Sequence, residues 1–230
     1  MLQKYKGNGE WNKMIIYTLP AIIEIQHIKN NQKGMTLNAC EKILDECQNI
    51  FNIKILYIYK SKNNAFNASC AYKLPFYSID TKWIQQIMQY PTEYHDAFYM
   101  TLGHELSHYK HDLSSHKNFF ENTKNKNKKF ESWVDEVHAD FGGIATALSS
   151  DRLRGINAMK IKHALLIEKL KTKSQKQTYN SHPPMEKRIE FIKKYNFDET
   201  LIRKIAEETM CNDENRIMTL VHNYEEIQLY

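Results

Sequence analysis

Two histidines four residues apart with a glutamate beside the first, His104, Glu105 and His108 in GHELSH, place two imidazoles on one face of a helix. Glu105 then stands about 100° round from them, where it avoids ligation and reaches a water held between the rings. The chemistry this HExxH arrangement serves is hydrolysis. A divalent ion lowers the pKa of its bound water towards about 7, and the carboxylate takes the proton and passes it to a leaving amine.

A tetrahedral site with one open position needs a third protein ligand. Glu136, 28 positions after His108, is the candidate. Asp140 lies four residues further along the same helical face, placed to accept the second ring N–H of His104 or His108. Asp135 and His138 fall off that face. His111 is rotated away from the seam of His104 and His108 and reads as a solvated residue.

These residues need two helices held side by side. Pro91 suits the first turn of a helix that runs through Ala97, Leu102 and Leu106 to about Leu113, preceded by a short helix over WIQQIMQY (83–90). In WVDEVHADFGGIATAL (133–148), Trp133, Val137, Ile144, Ala145 and Leu148 recur at helical spacing, with Glu136 and Asp140 opposite that stripe. Gly142 and Gly143 would let the two helices approach closely. ENTKNKNKKF (121–130), between them, reads as a solvated mobile loop.

Upstream, TLNACEKILDECQNIF (36–51) predicts an amphipathic helix with Thr36 as N-cap. Strands are expected over IKILYIYK (53–60), NAFNASCAY (64–72) and FYSID (76–80). Further helices are expected at 151–173, 184–195 and 199–210, and near the C-terminus. The whole is read as one domain over residues 1–230, with the sheet and HExxH helix in about 50–113 and the glutamate helix and helical part in about 131–230.

Composition sets the broader bounds. With 230 residues, 42% hydrophobic and 12% aromatic, the chain supports a sizeable core. Its net charge of +5 is spread without interleaved aromatics, which argues against a nucleic-acid partner. Cys40, Cys47, Cys70 and Cys211 show no CxxC spacing and read as buried reduced thiols, in keeping with a cytoplasmic protein. The most apolar early stretch, MIIYTLPAIIEI (14–25), is too short to span a bilayer and contains Pro20 and Glu24, so no membrane span is expected.

Taken in order, GHELSH (103–108), EVHAD (136–140) and SHPPMEKRIE (181–190) resemble the HtpX and CAAX-prenyl-protease family of gluzincin metallopeptidases. NNAFNA (63–68) is similar to that family's asparagine-alanine-phenylalanine edge strand, so the resemblance covers about residues 63–192. It implies an α+β, zincin-like fold and one zinc ion (Zn2+) per chain on His104, His108 and Glu136. It also implies Glu105 as general base, Asp140 as supporting carboxylate, and a protein or peptide substrate paired along the strand edge at Asn64–Ser69. Unpaired strand edges offer main-chain hydrogen bonds, which suits a protease.

In SHPPMEKR two readings stand side by side. His182 or Arg188 could stabilise an oxyanion, with Tyr179 as a spare candidate. Alternatively, Ser181 caps a helix begun at Pro183 and Pro184, and Arg188 ties that helix to a neighbour. Family members usually carry transmembrane helices and a longer separation between the zinc helix and the glutamate helix. The compact spacing is more similar to soluble ImmA-type regulatory peptidases, and phage-exclusion peptidases of the Lit type are another soluble relation. The expectation is therefore a soluble zinc endopeptidase; the competing one is a regulatory module that holds zinc without cleaving.

Overall fold

The computed structural model describes residues 57–61, 66–70, 76–114, 127–170 and 182–225, together with Asn49 in a helix. The expected helix at 36–51, with Thr36, Cys40 and Cys47, otherwise lies outside the described residues, as do Tyr179 and Ser181. Among those described, the chain is mostly helical with one small sheet, an α+β arrangement. No helix among them is long and apolar enough to cross a membrane.

Strands β1 (Tyr57–Ser61), β2 (Ala68–Cys70) and β3 (Phe76–Asp80) form the sheet in the order β1-β3-β2. β1 runs parallel to β3, with Tyr57 opposite Phe76, and β2 runs antiparallel to it, with Ala68 opposite Ile79. β2 is therefore an edge among the described strands, and Ala68 and Ser69 of the expected edge segment lie in it. Asp80 anchors the approach to that edge: its N–H donates to Asn67 O at 2.9 Å, and the Asn67 N–H donates to Asp80 Oδ2 at 3.2 Å.

Asp80 also stands at the N-cap of α1 (Thr81–Gln89), so strand passes directly into helix. Tyr90 separates α1 from α2 (Pro91–Ser114), which begins at the expected proline. Trp83 of α1 is fully buried and meets Phe66 and Phe98 edge-on, with ring centroids 5.5 and 5.9 Å away, which joins the sheet side to α2. Burying an aromatic or leucine side chain of this kind contributes roughly 1.5–3 kcal/mol.

The chain continues through α3 (Lys128–Ala147), α4 (Arg152–Leu170), α5 (Met185–Lys194), α6 (Glu199–Thr209) and α7 (Glu214–Glu225). Helix α3 starts inside the lysine- and asparagine-rich stretch read as a mobile loop. Residues 128–130 form its first turn because Phe130, 1% exposed, joins the apolar stripe one turn before Trp133 and Val134. The rest of that stretch to residue 126 lies outside the described residues. α3 is also buried on nearly every side, so Glu136 and Asp140 face other helices instead of solvent.

The crossing of α2 and α3 is closed by glycines. A Cβ at Gly143 would lie 2.9 Å from the backbone nitrogen of His104, and one at Gly103 would lie 3.1 Å from the Cα of Gly143. Only hydrogen fits at that distance, so the absence of side chains there sets how near the two histidines come to Glu136.

Candidate metal centre

Helix α2 presents His104 and His108 from successive turns, with ring centroids 4.7 Å apart and planes at 90°. Glu136 of α3 stands between them. Its Oε2 is 3.6 Å from His104 Nε2 and its Oε1 is 3.5 Å from His108 Nε2. One donor atom from each of the three residues lies within 4.8 Å of the others. Two donors about 2.1 Å from a tetrahedral centre are themselves roughly 3.4 Å apart, so the Glu136–histidine separations of 3.5 and 3.6 Å and the donor types fit a tetrahedral divalent ion such as zinc.

Asp140 lies beside the other ring nitrogen of His104. His104 Nδ1 donates to Asp140 Oδ1 at 2.9 Å, which fixes the ring so that Nε2 faces Glu136. Arg188 of α5 then grips Asp140 with both arms of its guanidinium, Nε to Oδ2 at 2.7 Å and Nη2 to Oδ1 at 2.5 Å. Its Nη1 also reaches Glu136 Oε2 at 3.2 Å. A planar fork suits this bidentate grip, and the pairing compensates three charged groups taken out of water.

The HPP segment therefore brings Arg188 onto the carboxylates of α3, which is the tie between helices that its sequence allowed. The N-cap position of α5 falls at Pro184, which makes no side-chain cap, and not at Ser181. His182 lies at the rim, its side chain 64% exposed, with Nε2 3.2 Å from Glu136 Oε1. Both sequence candidates for an oxyanion contact are thus directed at ligand-side carboxylates.

The charges reinforce one another. Burial pushes Glu136 upwards, but His104, His108, His182 and Arg188 together hold it well below the ordinary glutamate range. Asp140 is likewise held down by Arg188 and His104 against the effect of burial. Burial lowers the His104 imidazole, yet its bonds to Asp140 and Glu136 raise it to about 9.

Glu105 is half-buried beside this cluster, and its carboxylate makes no hydrogen bond or ion pair with another described residue. His111 departs from expectation: it is 3% exposed, not solvated. Tyr224 of α7 stacks on it at 4.6 Å and 16°, and His138 packs 5.2 Å away. The Tyr224 hydroxyl donates to Asp135, so the residues off the ligand face seat the C-terminal helix.

One charged neighbour escapes the HExxH pattern. Lys162 of α4 lines a cavity of about 10 Å³ beside Thr101, His104, Asp140, Met185 and Arg188. Its signal in the sequence is position alone: it lies four residues after Ala158 and three after Met159 on the buried stripe of α4. Comparison with protein-family models, curated proteins and solved structures finds no match to this chain.

Proposed function

We propose that this chain is a zinc-dependent metalloendopeptidase of the gluzincin type, with a zincin-like fold, acting on a protein or peptide. The observation that carries the reading is the convergence of His104, His108 and Glu136 donors within 4.8 Å, with Asp140 on the far nitrogen of His104. An ion bound there supplies an acidified water and polarises a carbonyl.

The remaining chemistry belongs to side chains. Glu105, next in sequence to a ligand and with no competing partner among the described residues, accepts a proton from the attacking water and returns it to the leaving amine. Asp140 holds the ligating tautomer of His104, and Arg188 is a positioning residue that holds Asp140. The β2 edge packs against α2 and offers main-chain groups to an extended substrate next to the zinc helix. An intact Glu105 also favours catalysis over a purely structural ion, since a closed site has no use for a base beside it.

The test is zinc content by plasma mass spectrometry on wild type, Glu136→Ala and Glu105→Gln, with cleavage of denatured casein followed in parallel. Near-stoichiometric zinc is expected in the wild type and Glu105→Gln, much less in Glu136→Ala, and cleavage by wild type alone. Absence of zinc from wild type after it is supplied and the excess removed would overturn the reading, as would full activity in Glu105→Gln.

A further inference from the structure

Arg188 is engaged by Asp140 and Glu136, and His182 Nε2 lies 3.2 Å from Glu136 Oε1. A different cation borders the same centre. Lys162 reaches from α4 to the cavity beside His104, and α4 packs directly against α2. Its ammonium has no ion-pair partner within 4.0 Å among the described residues. The carboxylate that acts on it most strongly is Glu105, ahead of Asp140 and Glu136.

Two opposite charges, each without a direct partner among the described residues, therefore lie near His104: Glu105 on the zinc helix and Lys162 on α4. A half-buried ammonium left unpaired beside a reaction centre has donors free for an anion that forms there, and in a site shielded from water such donors act strongly. Burial draws the Lys162 pKa below the ordinary lysine value and the Arg188 guanidinium adds to that shift, while Glu105, Asp140 and Glu136 oppose it.

Resting on the peptidase reading above, we infer that Lys162 is a further catalytic residue, whose ammonium donates to the oxygen that becomes negative when water adds to the scissile carbonyl. In that step the water oxygen bonds to the carbonyl carbon, the π pair moves onto the carbonyl oxygen, and the water proton passes to Glu105. The C–N bond then breaks, the carbonyl re-forms, and the proton passes from Glu105 to the amine. Lys162 exchanges no electrons and stays protonated throughout.

The test needs no knowledge of the substrate. Wild type, Lys162→Met and Lys162→Arg are loaded with cobalt(II), and inorganic phosphate, a tetrahedral anion, is titrated while the visible spectrum of the metal is followed. Melting by circular dichroism checks that each variant folds; if Lys162→Met does not, Lys162→Gln takes its place. All should hold one cobalt per chain. Phosphate should bind at least tenfold more weakly to Lys162→Met than to wild type, and Lys162→Arg should recover most of the difference.

Equal phosphate affinity in all three would overturn the inference while leaving the metal site standing. A difference that vanishes in 1 M sodium perchlorate would also overturn it, because a screened effect belongs to distant charge and not to contact. Failure of wild type to take up cobalt would instead remove the metal centre, and this inference with it.

Discussion

Gly143→Ala tests whether the helix crossing sets the geometry of the candidate centre. The added Cβ would lie 2.9 Å from the His104 backbone nitrogen, 3.2 Å from its Cα and 3.1 Å from Met100 Sδ. The sulfur can move, but the backbone atoms cannot, so restoring a contact of 3.4 Å requires α2 and α3 to part by roughly 0.5 Å. Metal–donor distances tolerate about 0.2 Å, so the separation exceeds what the ion can absorb.

Alanine gains roughly 1 kcal/mol of helix propensity over glycine, and overpacking costs roughly 1–3 kcal/mol, so net stability should fall by about 0–2 kcal/mol. Zinc affinity should fall further, on the order of 10- to 100-fold, the scale seen when ligand support is disturbed. Competition with a chromophoric chelator measures the affinity, and urea unfolding of the metal-free protein measures the stability. A variant that keeps wild-type zinc affinity would refute the idea that this glycine contact sets the separation of Glu136 from the two histidines.

Asp140→Asn removes a charge from the Arg188 fork and disturbs the His104 tautomer; it should weaken zinc roughly 10- to 100-fold by chelator competition and cost about 3 kcal/mol in urea unfolding. In the metal-free protein His104 titrates near 9, against 6.5 for an unperturbed histidine. Its contribution to stability is therefore fully present below about 6.5 and lost as pH rises through about 9, which a urea midpoint followed from about pH 6 to about pH 10 should register. Zinc displaces the same proton, so its affinity should climb with pH up to about 9, as isothermal titration in buffers of different ionisation heat would report. Tyr224→Ala empties the stack on His111 and should cost about 3 kcal/mol while leaving one zinc per chain, measured by thermal melting and metal content.

The placement of His104, His108, Glu136 and Asp140 was legible because it depends on helical period alone: residues four apart share a face wherever the helix sits. FYSID likewise matches β3 at both ends, since alternation and a following helix start mark it. What spacing cannot supply is the neighbour across the gap. His111 points away from the ligand seam as its rotation predicts, but α7 covers that side with Tyr224, and a residue's angle on its own helix says nothing about a helix over a hundred residues later. Arg188 stayed ambiguous between oxyanion and tie for the same reason, and only the position of α5 directs it to Asp140. The start of α3 was hidden by charge, with a single buried phenylalanine outweighing the lysines and asparagines around it.

The Arg188 fork carries a consequence for the order in which the molecule matures. His104, His108, Glu136 and Asp140 all precede residue 188, so a growing chain presents both buried carboxylates before their arginine has been made. Until α5 arrives, α2 and α3 must be held together against that uncompensated charge, by protons or by an early ion. A ribosome-bound chain ending short of Arg188 should therefore hold this helix pair less tightly than the full chain, and the candidate centre would reach its final geometry only when α5 docks.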